Sequence, residues 1–238
     1  MSEIIYGRNA VLEAIKSGQG IESVLIQKGI EGSGKVIYAE AKKRDLKITS
    51  VNKDVLDNKT QSGGHQGVMA YMSDFVYSSI DDIIAVAAER EERPFIVLLD
   101  GIEDPHNLGA IIRSAEGAGV HGIIIPKNRS ASVTDTVVKV SAGASMYMKV
   151  ARVTSTPKAI DELKDKGFWI YGLDMDGQSY KEVKIDTAVG LVIGSEGNGM
   201  SRIVREKCDF VLSIPMRGKV SSLNASNAAA IVMYELLS

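Results

Sequence analysis

The sequence predicts an α/β fold, in which a small N-terminal α/β domain precedes a larger domain built on a parallel sheet. Three observations lead to this prediction. Short apolar segments alternate with helical segments along the whole chain, the apolar segments of the C-terminal part are nearly continuous, and an acidic stretch separates the two parts. Alternating strands and helices are typical of α/β proteins, and strands covered on both faces of a parallel sheet have continuous apolar sequences.

The composition is that of an ordinary globular protein and excludes several other classes. Of the 238 residues, 45% are hydrophobic and 24% are charged, and the formal net charge is −2. No apolar run reaches the length of about 18 residues that a membrane-spanning helix needs, and the N-terminus lacks the basic start and unbroken apolar core of a signal peptide. The single cysteine, Cys208, cannot form an internal disulfide, and with three histidines a zinc site is not expected. We therefore expect a cytoplasmic protein with no membrane segment and no metal.

The charge distribution suggests where the domains are separated. Residues 73–94 carry six acidic and two basic side chains, whereas the two kinds are equal in number over residues 95–238. This local excess predicts an acidic linker over residues 73–94, with a short helix over residues 80–90 that ends before Pro94. The linker divides the chain into a small domain over residues 1–72 and a larger domain over residues 95–238.

Helical and extended patterns alternate in the first domain. The pattern predicts a helix over residues 8–18, a strand over 21–27, a helix over 34–45, a strand over 46–52 and a final strand over 65–72. Glycine and other turn-forming residues mark several of the boundaries. Together these segments predict a compact α/β sandwich of about 70 residues.

The second domain has longer apolar segments. They predict five buried strands, over residues 95–100, 121–126, 168–174, 188–195 and 210–216. Helical patterns lie between and after them, over residues 108–119, 133–144, 157–167, 200–208 and 225–237. Buried strands that alternate with helices predict a parallel sheet with helices on both faces. Asn107 is then expected in a loop after the first strand, and Arg113 in the first turns of the next helix.

One glycine-rich segment resembles a phosphate-binding loop in its spacing. GIEGSGKV, residues 29–36, contains the spacing G-x-x-x-x-G-K after a strand. A phosphate-binding loop needs Ser or Thr after the lysine to hold magnesium, and here that position is Val36. A glycine-rich turn before a helix explains the segment more simply, so a nucleotide hydrolase is only a remote alternative.

Polar, glycine-rich loops follow three of the buried strands. They contain Asn107 after the first strand, GSEG at residues 194–197 after the fourth, and Ser222 and Asn224 after the fifth. Glycine and serine at strand ends allow a ligand to approach the backbone closely. Ser222 or Asn224 alone could be no more than a helix N-cap, but three such loops in one domain predict a binding site.

Three motifs resemble those of the SpoU/TrmH family, a branch of the SPOUT methyltransferases. They are NLGxxxR at residues 107–113, GSEG at 194–197, and IPM with SLNAS within 214–226. Their order and spacing match the family, and YGRNAVLEAI and HQGV in the first domain are similar to the substrate-binding domain of the RlmB-type subgroup. Members of the family methylate ribose 2′-hydroxyl groups of RNA with S-adenosylmethionine, and the RlmB-type subgroup acts on guanosine of 23S rRNA. The resemblance covers most of the chain.

The resemblance implies several further properties. The second domain should contain a deep trefoil knot, although knots are rare in proteins. Two copies of the chain should form a homodimer with active sites at their interface. The substrate should be RNA, either 23S rRNA or a precursor of the large ribosomal subunit, and S-adenosylmethionine should be the methyl donor. The alternatives on the same fold are a transfer RNA methyltransferase, an rRNA methyltransferase that confers antibiotic resistance, and an RNA-binding protein without turnover.

The chemistry of the implied reaction gives Arg113 a role. Methyl transfer to a ribose hydroxyl needs alignment and the removal of a proton, but no metal and no covalent intermediate. The resemblance implies that Arg113 activates the ribose hydroxyl for methyl transfer. Because a guanidinium is always protonated, we expect it to hold a phosphate and stabilise developing negative charge rather than to act as a base.

The resemblance assigns the other site residues as well. Asn107 should orient Arg113 or the ribose. Glu196 should accept the proton or bind a cationic group, and Ser222 and Asn224 should line the catalytic pocket. The expected contacts with the cofactor are Leu173, Gly194, Ile214, Met216 and Leu223.

RNA binding must come from local basic groups, because a net charge of −2 provides no long-range attraction. The aromatic content of 5% argues against base stacking as the main contact. His65 is expected in a turn or against RNA, and His106 in a loop near RNA. The candidate basic groups are residues 42–44, Lys127 with Arg129, and Arg217 with Lys219.

Overall fold

A computed structural model describes the chain over residues 4–17, 21–60, 64–72, 75–219 and 221–237. The chain divides into two compact units, Met1–Val76 and Tyr77–Ser238. Over the described ranges, none of the helices is long and apolar enough to span a bilayer.

The first unit is a four-stranded mixed sheet with three helices. Its strands lie in the order β1-β4-β2-β3, with β2 and β3 parallel and β4 antiparallel to both of its neighbours. The strands are β1 (Ile4–Tyr6), β2 (Ile21–Gln27), β3 (Lys47–Val51) and β4 (Val68–Met72). The helices are α1 (Arg8–Ser17), α2 (Ser33–Lys43) and α3 (Lys53–Thr60). The predicted α/β arrangement is confirmed, and Gly18, the predicted end of the first helix, lies outside the described residues.

Two elements of the first unit were not predicted. Strand β1 has only three residues, which is too short for a periodic pattern. Helix α3 has a mainly polar sequence, and of its apolar side chains only Leu56 is fully buried, against Leu25 and Met69 on one side of the sheet. A single anchoring side chain leaves too weak a pattern to identify a helix from sequence.

His65 holds the turn that precedes β4. Its ring is 2% exposed, Nδ1 accepts the Gly67 N–H at 2.9 Å, and Nε2 lies 2.8 Å from Oδ1 of Asp57 on α3. The predicted turn role is therefore confirmed. Since the ring is buried, the expected RNA contact through His65 has no support.

Replacing His65 by alanine should lower the stability of the first unit by about 1–3 kcal/mol, because the buried Gly67 N–H would lose its acceptor. Urea unfolding of the full chain, with amide exchange at Gly67 as the local signal, would measure the loss. The matched control is His106→Ala, which removes an exposed ring and should change stability by about 0.5 kcal/mol or less. Equal losses in the two variants would mean that the His65 contacts do not stabilise the turn.

The second unit is built on a six-stranded sheet in the order β10-β8-β9-β5-β6-β7, and every neighbouring pair is parallel. Its strands are β5 (Phe95–Asp100), β6 (Gly122–Pro126), β7 (Lys149–Val153), β8 (Trp169–Ser179), β9 (Val189–Gly194) and β10 (Phe210–Ser213). Its helices are α4 (Ile80–Glu89), α5 (Pro105–Ala118), α6 (Asp135–Val140), α7 (Thr156–Asp165), α8 (Arg202–Lys207) and α9 (Ala225–Leu236). The predicted parallel-sheet α/β domain is confirmed, and the knot stays a prediction.

The predicted acidic linker is wrong in its extent. Residues 77–94 begin the second unit, and Ile80, Ile83 and Ala87 on α4 are buried in it. The acidic character comes from exposed side chains such as Asp81. The charged side chains of a surface helix lie on its solvent-facing side, so charge composition describes only that side. The few apolar side chains of the helix determine which core it packs against.

Strand β7 was not predicted, because Lys149 and Arg152 interrupt its apolar character. The strand lies at one edge of the sheet, where charged side chains are common.

Helix α5 also begins earlier than predicted. Asp104 caps it by accepting the His106 N–H at 2.9 Å, and Pro105 occupies its first position. Proline suits a first helical position because its missing N–H has no partner there.

This earlier start corrects the expected positions of two side chains. Asn107 lies in the first turn of α5 and is buried, whereas a loop was predicted for it. His106 lies in the same turn and is exposed. Gly109 then allows close packing of α5 on α6, since a Cβ there would lie 2.7 Å from Cβ of Val140.

Cys208 packs against Gly172 of β8. Burial raises the pKa of its thiol to about 11, and the thiol donates to the Val204 carbonyl at 3.4 Å. We expect alkylation by iodoacetamide at pH 8 to be about 100-fold slower than for an exposed cysteine, because the thiolate is the reactive form. The comparison is Ala88→Cys, at an exposed position of α4, in a Cys208→Ser background, and mass spectrometry gives both rates. Equal rates would show that the native thiol is accessible and ionised.

Candidate active site

Three side chains that follow three different strands, β5, β9 and β10, form one hydrogen-bonded cluster. Asn107 Nδ2 donates to Glu196 Oε1 at 3.1 Å, and Asn224 Nδ2 donates to Asn107 Oδ1 at 2.9 Å. Asn224 Nδ2 also donates to Glu196 Oε1. One carboxylate oxygen therefore accepts two amide N–H groups, while Glu196 Oε2 accepts no hydrogen bond from the described residues.

The sheet order explains why distant motifs meet. Strand β9 lies between β5 and β8, with Asp100 of β5 opposite Gly194 of β9. The carboxyl ends of parallel strands lie at one edge of the sheet, so the loops after β5 and β9 start side by side. The loop after β10 joins them because α9, which follows it, packs against α5. The expected grouping of the three loops is what the structure shows.

Asn224 has two roles at once. Its Oδ1 accepts the Ser226 N–H at 2.9 Å and so caps α9, while its Nδ2 donates to the cluster. The sequence left capping and site membership as alternatives for this residue. The two are compatible because they use different atoms of the same amide.

A tight turn after β9 presents Glu196. The backbone N–H groups of Ser195 and Gly199 each donate to the other residue's carbonyl at 3.0 Å. Gly197 and Gly199 have φ angles of 82° and 63°, which favour glycine. A side chain at Gly194 would collide with the backbone of Gly199, because the turn folds back on the strand end. Glycine at these positions is therefore a requirement of the turn that holds the carboxylate.

A cavity of about 700 Å³ opens beside this turn, at the carboxyl ends of β9 and β10 and next to the middle of β8. All five expected cofactor contacts line it, and so do three of the expected catalytic residues. Met216 and Leu223, each 38% exposed, provide apolar surface in its wall. The predicted residues in the lining are Leu173, Gly194, Glu196, Ile214, Met216, Ser222, Leu223 and Asn224.

A second cavity, of about 610 Å³, lies on the other side of the Glu196 turn, at the carboxyl ends of β5, β6 and β7. Asn107 and Glu196 line it, so the hydrogen-bonded cluster borders both cavities. Glu103 and Thr154 also line it and were missed from the sequence, because neither belongs to a recognisable motif. Arg129, expected in a basic group that binds RNA, lies at this cavity.

Arg113 lies apart from the cluster. It is exposed on α5, lines neither cavity, and has no hydrogen bond or ion pair with any described residue. The step of six positions from Asn107 to Arg113 corresponds to a net rotation of about 240° around the helix, so the two side chains leave it in different directions. Within one chain, the predicted activating arginine does not meet the other predicted catalytic residues.

An ion-pair network beside the first cavity was also missed. Arg205 on α8 lies 2.5 Å from Oδ2 of Asp174 and 2.9 Å from Oδ1 of Asp176. Asp174 lines the cavity next to Leu173. The aspartates precede the arginine by about thirty residues, and no sequence spacing marks a pairing at that distance.

Comparison with known proteins identifies the class. Residues 94–234 match the model of the SpoU rRNA methylase family, and residues 4–77 match a model described as RNA 2′-O ribose methyltransferase substrate binding. The chain belongs to the SpoU/TrmH family of RNA methyltransferases. The glycine-rich segment at residues 29–36, which resembles a phosphate-binding loop, lies inside the match to the substrate-binding model. The nucleotide-hydrolase alternative therefore has no support.

Individual relatives agree over nearly the whole chain. A Staphylococcus haemolyticus protein named for the TrmH family of tRNA/rRNA methyltransferases is 46% identical over 98% of this chain and 94% of its own. YacO of Bacillus subtilis, named in the same way, is 42% identical over the same shares. The crystal structure of the SpoU methyltransferase AviRb from Streptomyces viridochromogenes with AdoMet has a TM-score of 0.62 and 26% identity, covering 98% of this chain and 88% of that one. The TrmH/SpoU tRNA-modifying enzyme of A. aeolicus has a TM-score of 0.56 and 27% identity, covering 61% and 75%.

The first cavity fits S-adenosylmethionine, the methyl donor of this family. Its volume is within the range of about 300–1,000 Å³ that is typical of small-molecule sites. Met216 and Leu223 offer apolar surface for an adenine ring, the glycine turn exposes backbone polar groups, and Glu196 offers negative charge to a cation. When bound, the cofactor supplies an electrophilic methyl group.

Proposed function

We propose that this protein methylates the ribose 2′-hydroxyl of a guanosine in 23S rRNA or in a precursor of the large ribosomal subunit. The observation that carries the proposal is the cluster of Asn107, Glu196 and Asn224 between the two cavities. The likeness of the first unit to the RlmB-type subgroup supports the choice of RNA and nucleoside. We place the reaction in the cytoplasm, where bacterial ribosomes are assembled.

Glu196 is the proposed proton acceptor. In the transfer, the bond between the methyl carbon and sulfur breaks, a bond from the ribose oxygen to that carbon forms, and the hydroxyl proton leaves. The hydroxyl becomes strongly acidic as its oxygen is alkylated, so a carboxylate is a sufficient base. Asn107 and Asn224 hold Glu196 Oε1, which leaves Oε2 to receive the proton. Ser222, which lines the first cavity, completes the proposed catalytic set.

Arg113 is the proposed electrostatic activator, and a second copy of the chain brings it to the site. Its side chain is free among the described residues, and the adjacent α9 exposes Ile231 (39%) and Tyr234 (55%). Tyr234 Oη lies 3.0 Å from the position that a Cβ on Gly117 of α5 would occupy, so the two helices share one surface. We propose a two-fold contact through this surface, in which each copy's Arg113 reaches the cluster of the other.

A transfer RNA guanosine is the second candidate substrate. The relatives are named for tRNA and rRNA alike, and the similar A. aeolicus structure is a tRNA-modifying enzyme. Both candidates use the same site chemistry and differ only in the RNA that is recognised.

Ribose-methylation mapping of total RNA tests this function. Deletion of the gene should remove one 2′-O-methylguanosine from 23S rRNA, and the purified protein should restore it with S-adenosylmethionine. Loss of a methyl group from tRNA would select the second candidate. Binding of RNA and cofactor without any methyl transfer would identify an RNA-binding protein without turnover.

A further inference from the structure

The second cavity is not explained by cofactor binding. We propose that it holds the target nucleotide with its base directed inward, and that Glu103 recognises the N1–H and 2-amino groups of guanine. This inference rests on the proposed function, since it names how the methylated nucleoside is selected.

The position of the cavity suits a substrate. Strands β5, β6 and β7 extend to one side of β9, whereas β8 and β10 lie on its other side. The chain direction across the sheet therefore reverses between β5 and β9, and ligands of open α/β sheets bind in the crevice at such a reversal. Asp100 at the end of β5, Gly101 directly after it and Ser195 after β9 all line this cavity.

The shared wall orients the nucleotide. Displacement at the methyl carbon requires the attacking oxygen to approach from the side opposite to sulfur, so the cofactor and the ribose must lie on opposite sides of the transferred group. The Glu196 turn separates the two cavities and contributes lining to both. A nucleoside in the second cavity would place its ribose at Asn107 and Glu196, with its base farther from the cofactor.

Four carboxylates line the cavity, and only one of them has no hydrogen-bond or ion-pair partner among the described residues. Asp100 accepts the Ser201 N–H at 2.8 Å, Asp104 accepts the His106 N–H at 2.9 Å, and Glu196 accepts from Asn107. Glu103 has neither a hydrogen bond nor an ion pair with the described part of the chain. A carboxylate can accept from two adjacent donors, and guanine is the RNA base that presents two adjacent N–H donors on its Watson–Crick edge. Unstacked bases are read on this edge in sequence-specific RNA recognition.

Charge orients the rest of the nucleotide. The acidic side of the cavity, around Glu103 and Asp104, repels phosphate but accepts a neutral base that carries donors. The cation in the lining is Arg129, after β6, and it is exposed and unpaired among the described residues. A nucleotide with its base at Glu103 and its phosphate toward Arg129 satisfies both ends of the cavity.

Two substitutions test the inference on the RNA fragment that carries the mapped guanosine. Thr154→Trp, at an exposed position of the lining, should fill the cavity and lower kcat/KM for RNA by about 100-fold or more. Glu103→Gln should lower it by about 10-fold, because one of two acceptor positions becomes a donor. The affinity for S-adenosylmethionine should change by less than about threefold in both variants, since neither residue lines the first cavity. The matched controls are Lys158→Trp and Glu89→Gln, which are exposed and line neither cavity.

Replacing the target guanosine by inosine separates recognition from a general structural effect. Inosine lacks the 2-amino group, so wild-type kcat/KM should fall by about 10-fold, and Glu103→Gln should show little further discrimination between the two nucleosides. Full discrimination in Glu103→Gln would overturn the assignment of Glu103, and normal turnover in Thr154→Trp would overturn the pocket. Both results leave the proposed function intact. A wild-type protein that methylates no guanosine would remove the proposed function and this inference together.

Discussion

Replacing Arg113 by alanine should lower the rate of methyl transfer by about 100-fold or more, because it removes the one strong positive charge proposed to stabilise the developing alkoxide. The affinity for S-adenosylmethionine should stay within about threefold of wild type, since Arg113 lines neither cavity. Single-turnover transfer of a labelled methyl group to RNA measures the first quantity, and calorimetry measures the second.

Two further variants make this test specific. Arg113→Lys should recover little activity, because a point ammonium cannot reproduce the forked contact of a guanidinium with phosphate. Arg90→Ala, at an exposed arginine after α4, is the matched control and should keep wild-type rates. Near-normal turnover in Arg113→Lys would reduce the role of Arg113 to that of a simple charge.

Mixing two inactive variants should restore activity if each site uses both copies. Arg113→Ala retains an intact cluster, and Glu196→Ala retains an intact arginine. Glu196 is a better partner for this test than Asn224, whose loss would also uncap α9. After random subunit exchange, half of the dimers are mixed and each mixed dimer has one complete site, so about one quarter of wild-type activity is expected.

The same mixture also reports the opposite outcome. Native mass spectrometry must first show that mixed dimers have formed. If they have formed and remain inactive, each chain completes its own site, and Arg113 must reach its own cluster by a rearrangement of α5. A protein that is active as a monomer in light scattering would remove the shared site altogether.

Local sequence pattern was sufficient to predict most of the strands of the second unit. Continuous apolar runs identified β5, β6 and β9, because strands buried on both faces admit few polar side chains. Apolar runs also located β8 and the edge strand β10, although β8 continues to Ser179 beyond its run and only Leu212 of β10 is fully buried. The same reasoning missed β7, where an edge position tolerates Lys149 and Arg152. It also assigned residues 77–94 to a linker, because charge counts cannot show that Ile80 and Ile83 pack in a core.

The site was predictable to the extent that its residues lie in motifs. Asn107, Glu196 and Asn224 were expected together, and hydrogen bonds join them. Glu103 and Thr154 belong to no motif, so their place in the site follows only from the cavity that they line. Local propensity placed the start of α5 about three residues too late and so left Asn107 in a loop. Because Asn107 and Arg113 in fact lie on the same helix, their side chains leave it in different directions, and Arg113 is separated from the cluster.

The sequence by itself determined the fold class, the family motifs and the chemical types of the site residues, because these depend on local periodicity and on side-chain identity. Only the tertiary structure decided which side chains are neighbours. The order of β9 between β5 and β8 sets two loops side by side, and the packing of α9 on α5 brings in a third, although up to 117 positions separate their residues in the chain. Long-range packing also sets the direction in which Arg113 leaves α5 and forms the two cavities that share Glu196. Local sequence patterns contain no information about such packing.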